Sequence, residues 1–403
     1  MINTRDGAIN DDQTSGYFGF GLRMYDHKKN VCYLCFSDDD LRTMIRSNGG
    51  PRGCYFCHRK DASTMPFQEV VDFILERIQT FYGKAGDQLP YESREGGYQG
   101  WHIDSYDMIR DQIGLDLPRD NDQSLFRAIV DGIGDDTWCE YDWLVLEPDE
   151  SLRFSWERFC DIVKHQRRFF FHDIGKSDGR TPDARSPFEF LETVCQHAER
   201  SGLIIEIAAG QTFHRARARK PRQPITSPAA LGPPPDHLAT QSNRMNPPGI
   251  SMFYGADKRK LAVTEIRNSM ASVGTFTTNR PIRILDLANL PDVPGFFSTA
   301  YRMEQRILSF LSDFANLIIQ PVDRSDRVNV DYIPTQVFTE FIRDFEFENG
   351  KIEGLRYRSA TGEKGTNYVL FAGQKDVVDA TPPEPFITTR PWLKLVRVKH
   401  VRL

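Results

Sequence analysis

The sequence predicts an α+β chain with three parts: a small cysteine-rich module, an all-helical domain, and a C-terminal domain of mixed strands and helices. Three observations support this prediction. Four cysteines form two close pairs near the start, apolar residues recur at helical spacing through the middle, and strand-like runs alternate with helical stretches beyond residue 186. Side chains on one face recur about every 2 residues in a strand and about every 3.6 residues in a helix, and this difference in spacing distinguishes the last two patterns.

Composition limits the class of protein. The chain has 403 residues, enough for two or three domains, and is 39% hydrophobic and 27% charged, which is typical of a folded protein. Its net charge of −5 disfavours a nucleic-acid partner. No apolar run is long enough to span a membrane, and residues 1–16 lack the apolar core of a signal peptide. We therefore expect a cytoplasmic protein whose seven cysteines do not form a disulfide framework.

Local signals predict the boundaries of the parts. Apolar residues at helical spacing from Val70 to Phe81 predict a helix over 67–82, and residues 151–171 predict another. Ser186, followed by proline and then Glu189, has the pattern of a helix N-terminus. The predicted parts are a flexible tail (1–16), the cysteine module (17–64), the helical domain (65–172), a linker (173–185) and the C-terminal domain (186–403).

The cysteine module has the spacing of a metal site. Cys32 and Cys35 form one Cys-x-x-Cys pair, and Cys54 and Cys57 form a second. Four thiolates complete the tetrahedral shell that structural Zn²⁺ prefers and leave no open position, so we expect one structural zinc ion. The alternatives are four unrelated cysteines, a redox pair, or His58 as a substitute ligand.

Three arginines share one side of a predicted strand in the C-terminal domain. Arg215, Arg217 and Arg219 alternate with alanines, so their side chains lie on the same face. Guanidinium groups bind phosphate oxygens as a planar fork, and this face therefore suits a pyrophosphate. The alternative is a solvated edge strand that its charges protect from pairing.

Further polar residues follow in order along the chain. Arg244 and Asn246 belong to an Arg-x-Asn-Pro-Pro-Gly turn, whose prolines and glycine favour a tight, rigid bend. Tyr254 lies in the strand-like run after this turn, and Glu265 lies on the helix that follows. Beyond them are Pro-Thr-Gln at 334–336, Tyr-x-Ser ending at Ser359, and Gly-x-Asn ending at Asn367.

Taken in order, these segments resemble the RES domain family over about residues 200–375. The resemblance implies a mixed α/β fold similar to ADP-ribosyltransferases and a toxin, typically of a bacterial toxin–antitoxin pair, that consumes NAD⁺. The catalytic residues that it implies are Arg215, Glu265 and Ser359. It also adds Tyr254 as a pocket residue, and the candidate NAD⁺-binding residues are then Arg215, Arg244, Asn246, Tyr254 and Asn367. This chain has Met245 where the family commonly has an aromatic residue, and its loop from Arg215 to Arg244 is long and rich in proline.

The helical domain more weakly resembles the HEPN domains that precede some RES domains. Active HEPN ribonucleases carry an arginine and a histidine separated by four to six residues on a helix, and Arg167 and His172 have that spacing. Such a pair could stabilise charge and transfer protons during RNA cleavage. The three phenylalanines between them favour the alternative, which is core packing without catalysis.

The resemblances imply an NAD⁺-degrading toxin or defence effector that cleaves the nicotinamide–ribose bond, as an NAD⁺ glycohydrolase or phosphorylase does. One alternative is a protein-modifying ADP-ribosyltransferase, and another is a HEPN-type ribonuclease or a non-catalytic binding module. NAD⁺ is then the substrate and zinc the structural cofactor. We also expect an antitoxin or other regulatory partner, and a homo-oligomer formed by the helical domain, which is rich in Phe and Trp.

Overall fold

The fold divides between residues 141 and 142. The computed structural model has one unit over Met1–Tyr141 and another over Asp142–Leu403. It describes residues 29–141, 148–171, 185–266, 270–299, 302–320, 328–359, 364–380 and 390–402. The predicted tail (1–16) and residues 173–184 of the predicted linker lie outside these ranges. Within them, each helix is either too short or too polar to cross a lipid bilayer.

The first unit combines helices with short strands. Its helices are α1 (Asp39–Asn48), α2 (Phe67–Phe81), α3 (Ala85–Gln88), α4 (Ser105–Asp107) and α5 (Ser124–Ile133). Its strands are β1 (Asn30–Cys32), β2 (Gly50–Pro51), β3 (Ser63–Pro66), β4 (Tyr82–Lys84), β5 (Tyr91–Glu92), β6 (Gly97–Tyr98), β7 (Ile103–Asp104) and β8 (Thr137–Glu140). Single helical turns lie at Tyr33–Cys35, Ser93–Glu95 and Met108–Gln112.

Helix α2 forms where the sequence predicts it. Val70, Val71, Ile74 and Ile78 are fully buried and make up its apolar face. Helix α5 packs closely on this face, because a Cβ added to Gly132 would lie 2.8 Å from a Val71 methyl carbon. Short strands also occur in the region predicted to be all helical: β4, β8 and β7 form one small sheet, and β5 and β6 form another.

The second unit is a mixed sheet with helices. Its helices are α6 (Pro148–Asp161), α7 (Pro187–Arg200), α8 (Pro228–Leu231), α9 (Arg259–Ile266), α10 (Arg302–Ile319), α11 (Val328–Asp331) and α12 (Ile333–Asp344). Its strands are β9 (Ile204–Ile207), β10 (Thr212–Ala218), β11 (Phe253–Ala256), β12 (Met270–Thr278), β13 (Ile282–Asp286), β14 (Gly354–Arg358), β15 (Thr366–Leu370) and β16 (Leu393–Arg402). Single helical turns lie at Ile162–Gln166, Asp236–Leu238 and Gln374–Asp376.

The predicted start of α7 is confirmed. Ser186 Oγ accepts a hydrogen bond from the Glu189 backbone nitrogen, while the Glu189 carboxylate accepts one from the Ser186 backbone nitrogen. Pro187 occupies the first helical position, where its missing N–H removes no helical bond. These contacts satisfy backbone donors that a helix N-terminus otherwise leaves without partners.

Eight strands of the described residues form one sheet in the order β16-β12-β10-β11-β15-β14-β13-β9. The pairs are antiparallel except β13 with β14, which is parallel. A parallel pair needs a long crossover connection, and residues 287–353, which include α10, α11 and α12, provide it. The crossover therefore separates β9–β13 from β14 and β15 along the chain.

Both faces of the sheet are covered by apolar side chains. On β13, Leu285 belongs to a cluster with side chains of α6, α7, α10 and α12. Its neighbour Ile284 belongs to a second cluster that contains Phe213 and Phe253. Successive residues of a strand point to opposite faces, so the two clusters lie on opposite sides of the sheet.

Helix α6 packs in the second unit. Leu152, Trp156 and Phe159 are buried in the cluster formed with α7, α10 and α12. The sequence assigns these residues to a helical domain over 65–172, whereas their contacts group them with the sheet that follows. Helical periodicity identifies an apolar face but does not identify the core that the face contacts.

Gly354 provides a test of this packing. It begins β14 between β13 and β15, where an added Cβ would collide with the Val369 carbonyl oxygen and lie 3.0 Å from Leu370 Cα. We expect Gly354→Ala to lower the free energy of unfolding of the second unit by about 1–3 kcal/mol, because overpacking moves the backbone. Urea unfolding measures this change.

The matched control is Gly373→Ala in the same unit. An added Cβ there meets only a carboxylate oxygen of Asp376 at 3.9 Å, so the change should stay within about 0.5 kcal/mol. Equal losses in the two variants would contradict the close approach at Gly354.

Candidate active site

The central sheet opens between β10 and β11. β10 pairs with β12 at every residue from Thr212 to Ala218, but it meets β11 only where His214 faces Ala256. A cavity of about 570 Å³ has walls from both strands, from the loop that joins them, and from α9, β14 and β15. This volume lies in the range of small-molecule sites.

Arg215 crosses the opening with its side chain. Its Nη1 donates a hydrogen bond of 2.8 Å to the backbone carbonyl of Tyr254, and its guanidinium lies 5.5 Å from the centre of the Phe253 ring. Burial lowers the pKa of Arg215, and the charge of Arg217 lowers it further. A bound anion would offset this cost of burying a cation.

Glu265 lies near the end of α9 and lines the same cavity with an exposed side chain. Its Oε1 accepts hydrogen bonds from Asn367 Nδ2 at 2.9 Å and from Ser359 Oγ at 3.2 Å. Asn367 belongs to β15, and Ser359 directly follows β14. The structure therefore brings together Arg215, Glu265 and Asn367 around one cavity, with Ser359 attached to it through Glu265.

Tyr254 lines the cavity from β11 and is held by the preceding turn. Its hydroxyl donates to Asn246 Oδ1 at 2.6 Å and accepts from the Met245 backbone nitrogen at 3.2 Å. Asn246 Nδ2 donates to the Ile250 carbonyl at 2.6 Å, so its amide is bonded inside the protein at both ends. Burial raises the pKa of Tyr254, which keeps the hydroxyl protonated as a donor.

The Pro-Thr-Gln element at 334–336 holds this turn from α12. Gln336 Nε2 donates to Ser242 Oγ at 2.9 Å and to the Asn243 carbonyl at 2.7 Å. Thr335 Oγ1 donates to the Arg244 carbonyl at 2.5 Å. Both α12 side chains are buried, so the cavity wall formed by the turn is anchored to the core.

Arg244 is not among the residues that line the cavity. Its Nη1 donates to the Ile318 carbonyl at 2.7 Å, and its guanidinium lies 5.4 Å from the centre of the Tyr332 ring. Ile318 belongs to the last turn of α10, whose carbonyls lack helical partners and attract cations. The structure thus places this predicted binding residue against a helix end.

Some residues that line the cavity are not among the site residues that the sequence predicts. Tyr357 lines the cavity from β14, and it belongs to the Tyr-x-Ser element that the sequence already contains. Pro234 and Leu238 line it from the proline-rich loop, which carries no local signal of a site. The loop is positioned by long-range contacts such as the 2.6 Å bond from Ser251 Oγ to the Pro234 carbonyl.

Two family models match parts of this chain. A family model described as RES domain matches residues 212–392, which contain Arg215, Glu265, Ser359 and Asn367. The chain carries a RES domain. A second family model, described as HEPN/RES N-terminal domain 1, matches residues 47–177. The predicted architecture is therefore confirmed, and at the level of the family a RES domain implies a toxin-like role that uses NAD.

Two further comparisons give no match. No curated protein and no solved structure matches the chain.

The first unit of the RES domain protein brings four cysteines together. The Sγ atoms of Cys32 lie 3.6 Å from Cys35 and 3.4 Å from Cys57, and Cys35 lies 3.7 Å from Cys54. All four sulfurs lie within 4.8 Å of one another, and His58 is not part of the group. Thiolates about 2.3 Å from a tetrahedral ion are about 3.8 Å apart, so these cysteines could hold a zinc ion.

The arginine of the predicted HEPN motif does not lie on a helix. The helical turn that extends α6 ends at Gln166, and Arg167 is exposed in extended backbone. His172 lies outside the described residues. Phe169 and Phe170 are 82% and 87% exposed, so the expected core packing is wrong for these two, whereas Phe171 packs against the core.

Removing one cysteine ligand tests the metal site. We expect one zinc ion per wild-type chain by elemental analysis, and well below one for Cys32→Ser. The variant should also be less stable, because metal binding and folding are coupled. Cys139→Ala, which changes a buried cysteine outside the cluster, should keep its zinc. Zinc-free wild type prepared without chelators would contradict this site.

The contacts of Gln336 can be tested in the same way. Gln336→Leu removes the donor to the Asn243 carbonyl, so we expect the free energy of unfolding to fall by about 1–3 kcal/mol. Gln320→Leu, at an exposed position, should change it by less than about 0.5 kcal/mol. Denaturant unfolding measures both, and an unchanged Gln336→Leu would rule out an anchoring role.

Proposed function

We propose that the RES domain breaks the bond between nicotinamide and ribose in NAD⁺, as an NAD⁺-degrading toxin or defence effector. One observation carries this proposal: the Glu265 carboxylate and the Arg215 guanidinium line the same cavity, and Ser359 and Asn367 hold the carboxylate in place. A carboxylate and a phosphate-binding cation on one cavity suit a substrate that carries a ribose next to a diphosphate.

The reaction requires stabilisation of positive charge on the ribose. When the C1′–nitrogen bond breaks, its electron pair leaves with the nicotinamide and the sugar carbon becomes cationic. We propose that Glu265 stabilises this positive charge, because a carboxylate already held by two hydrogen-bond donors needs little rearrangement in the transition state. Water or inorganic phosphate then adds to the sugar carbon, and a proton is released.

Two tyrosines are candidates for holding the planar ring of the substrate. Tyr254 and Tyr357 both line the cavity, and aromatic side chains bind planar rings by stacking. We assign Asn246 to positioning Tyr254, because its amide bonds to the Tyr254 hydroxyl and to the turn. Arg244 supports the end of α10 in this proposal, and Arg215 binds phosphate.

An enzyme that consumes NAD⁺ in its own cell must be restrained. We therefore propose an antitoxin or other regulatory partner, and self-association through the first unit, as the means of control. Exposed aromatic side chains in that unit, such as Tyr91 at 65% and Trp101 at 47%, support a protein-binding surface. Sedimentation of the full chain, alone and after Trp101→Ser, tests the self-association.

Glu265→Gln tests the proposed function directly. The amide keeps the shape and the hydrogen bonds to Ser359 and Asn367 but removes the charge. We expect the rate of nicotinamide release from NAD⁺ to fall about 10²–10³-fold, the usual cost of losing one preorganised electrostatic contact. Arg215→Ala should raise KM as well as lower kcat, since phosphate contacts also exist in the ground state.

The control is Glu206→Gln, at an exposed position on β9, which should keep the wild-type rate. Melting temperatures of all variants show whether they remain folded. A wild-type rate for Glu265→Gln would remove Glu265 from catalysis. NAD⁺ labelled in its adenosine part also identifies the acceptor, because label on protein would favour the ADP-ribosyltransferase alternative over an NAD⁺-degrading enzyme.

A further inference from the structure

Two arginines of β10 face the cavity together. Arg215 and Arg217 both line it, while Arg219, two residues further along the same face, is not among the lining residues. Each of the two is anchored through one nitrogen: Arg215 Nη1 donates to the Tyr254 carbonyl at 2.8 Å, and Arg217 Nη2 donates to the Gly232 carbonyl at 2.6 Å. The anchors leave most of the guanidinium donors available to a ligand.

The charges of this pair are not balanced by the described part of the protein. Burial lowers the pKa of both side chains, and no carboxylate contributes to either shift. The Nε atoms of Arg215, Arg217 and Arg219 are all buried without a hydrogen-bond partner, but only Arg215 and Arg217 line the cavity. Two half-buried cations that repel each other, with no ion pair to a carboxylate among the described residues, are the arrangement expected of a site that binds an anion.

We propose that Arg217 is a second phosphate-binding residue, which with Arg215 forms a two-cation clamp on the diphosphate of a dinucleotide. The clamp makes Arg217 the residue that selects dinucleotides over mononucleotides. This inference rests on the proposed function, because NAD⁺ supplies the diphosphate. A dinucleotide presents two neighbouring phosphates, so each guanidinium can bind the oxygens of a different phosphate, whereas a mononucleotide has one phosphate to offer.

The spacing fits this role. Alternate residues of a strand are about 7 Å apart, a distance that two long side chains can close on neighbouring phosphates. Arg244 cannot take this place in the structure, because its guanidinium contacts the Ile318 carbonyl instead. Arg219 donates to the Lys220 carbonyl at 3.4 Å and therefore serves as a matched control.

Binding of ADP-ribose and AMP to the full chain tests the clamp by calorimetry. ADP-ribose carries the diphosphate, whereas AMP carries the same adenosine with one phosphate. We expect Arg217→Gln to weaken ADP-ribose binding about tenfold to a hundredfold, as for a lost charged hydrogen bond, and AMP binding by less than about threefold. Arg219→Gln should leave both affinities within about twofold, since it removes no contact with the cavity.

The outcomes separate the clamp from the proposed reaction. Three results would each overturn the clamp. Arg217→Gln could weaken the binding of ADP-ribose and AMP equally, it could leave the binding of both unchanged, or the wild type could fail to bind ADP-ribose. If Arg217→Gln loses ADP-ribose binding selectively but the wild type releases no nicotinamide from NAD⁺, the clamp is supported and the NAD⁺-degrading function is rejected. If the wild type releases nicotinamide but Arg217→Gln binds ADP-ribose as tightly as the wild type does, the NAD⁺-degrading function is supported and the clamp is rejected.

Discussion

The hydrogen bond from the Arg215 guanidinium to the Tyr254 carbonyl takes a place that strand pairing would otherwise fill. Continuing the register in which His214 faces Ala256 would set Tyr254 opposite Ala216. A side chain binds the Tyr254 carbonyl instead, and the two strands remain separate beyond His214. The cavity therefore lies where one side-chain contact stands in place of backbone contacts between two strands of the sheet.

The polar groups of the site could be predicted from short motifs because those motifs specify residue types at close spacing. Glu265, Asn367 and Tyr254 all line the cavity. The direction of a long side chain could not be predicted in this way. Arg244 belongs to the same turn as Asn246, yet it contacts the end of α10, and that contact depends on how a helix far along the chain packs.

The fold was predictable to a similar degree. Helix α2 and the start of α7 carry strong local signals and form as expected. The position of α6 among the helices of the second unit depends on which core accepts its apolar face, and the strands of the first unit are too short to alternate detectably. The wall of the cavity formed by the proline-rich loop depends on tertiary contacts such as Ser251 with Pro234.

The distance along the chain between the parts of the site has a consequence for the living cell. Ser359 and Asn367 follow Glu265 by 94 and 102 positions, with the long crossover of the sheet between them. A ribosome that has translated only as far as the crossover has made a carboxylate that neither residue yet holds. A site assembled in this way stays incomplete in half-made chains, and a cut in the crossover leaves the carboxylate and the residues that hold it on two different peptide chains.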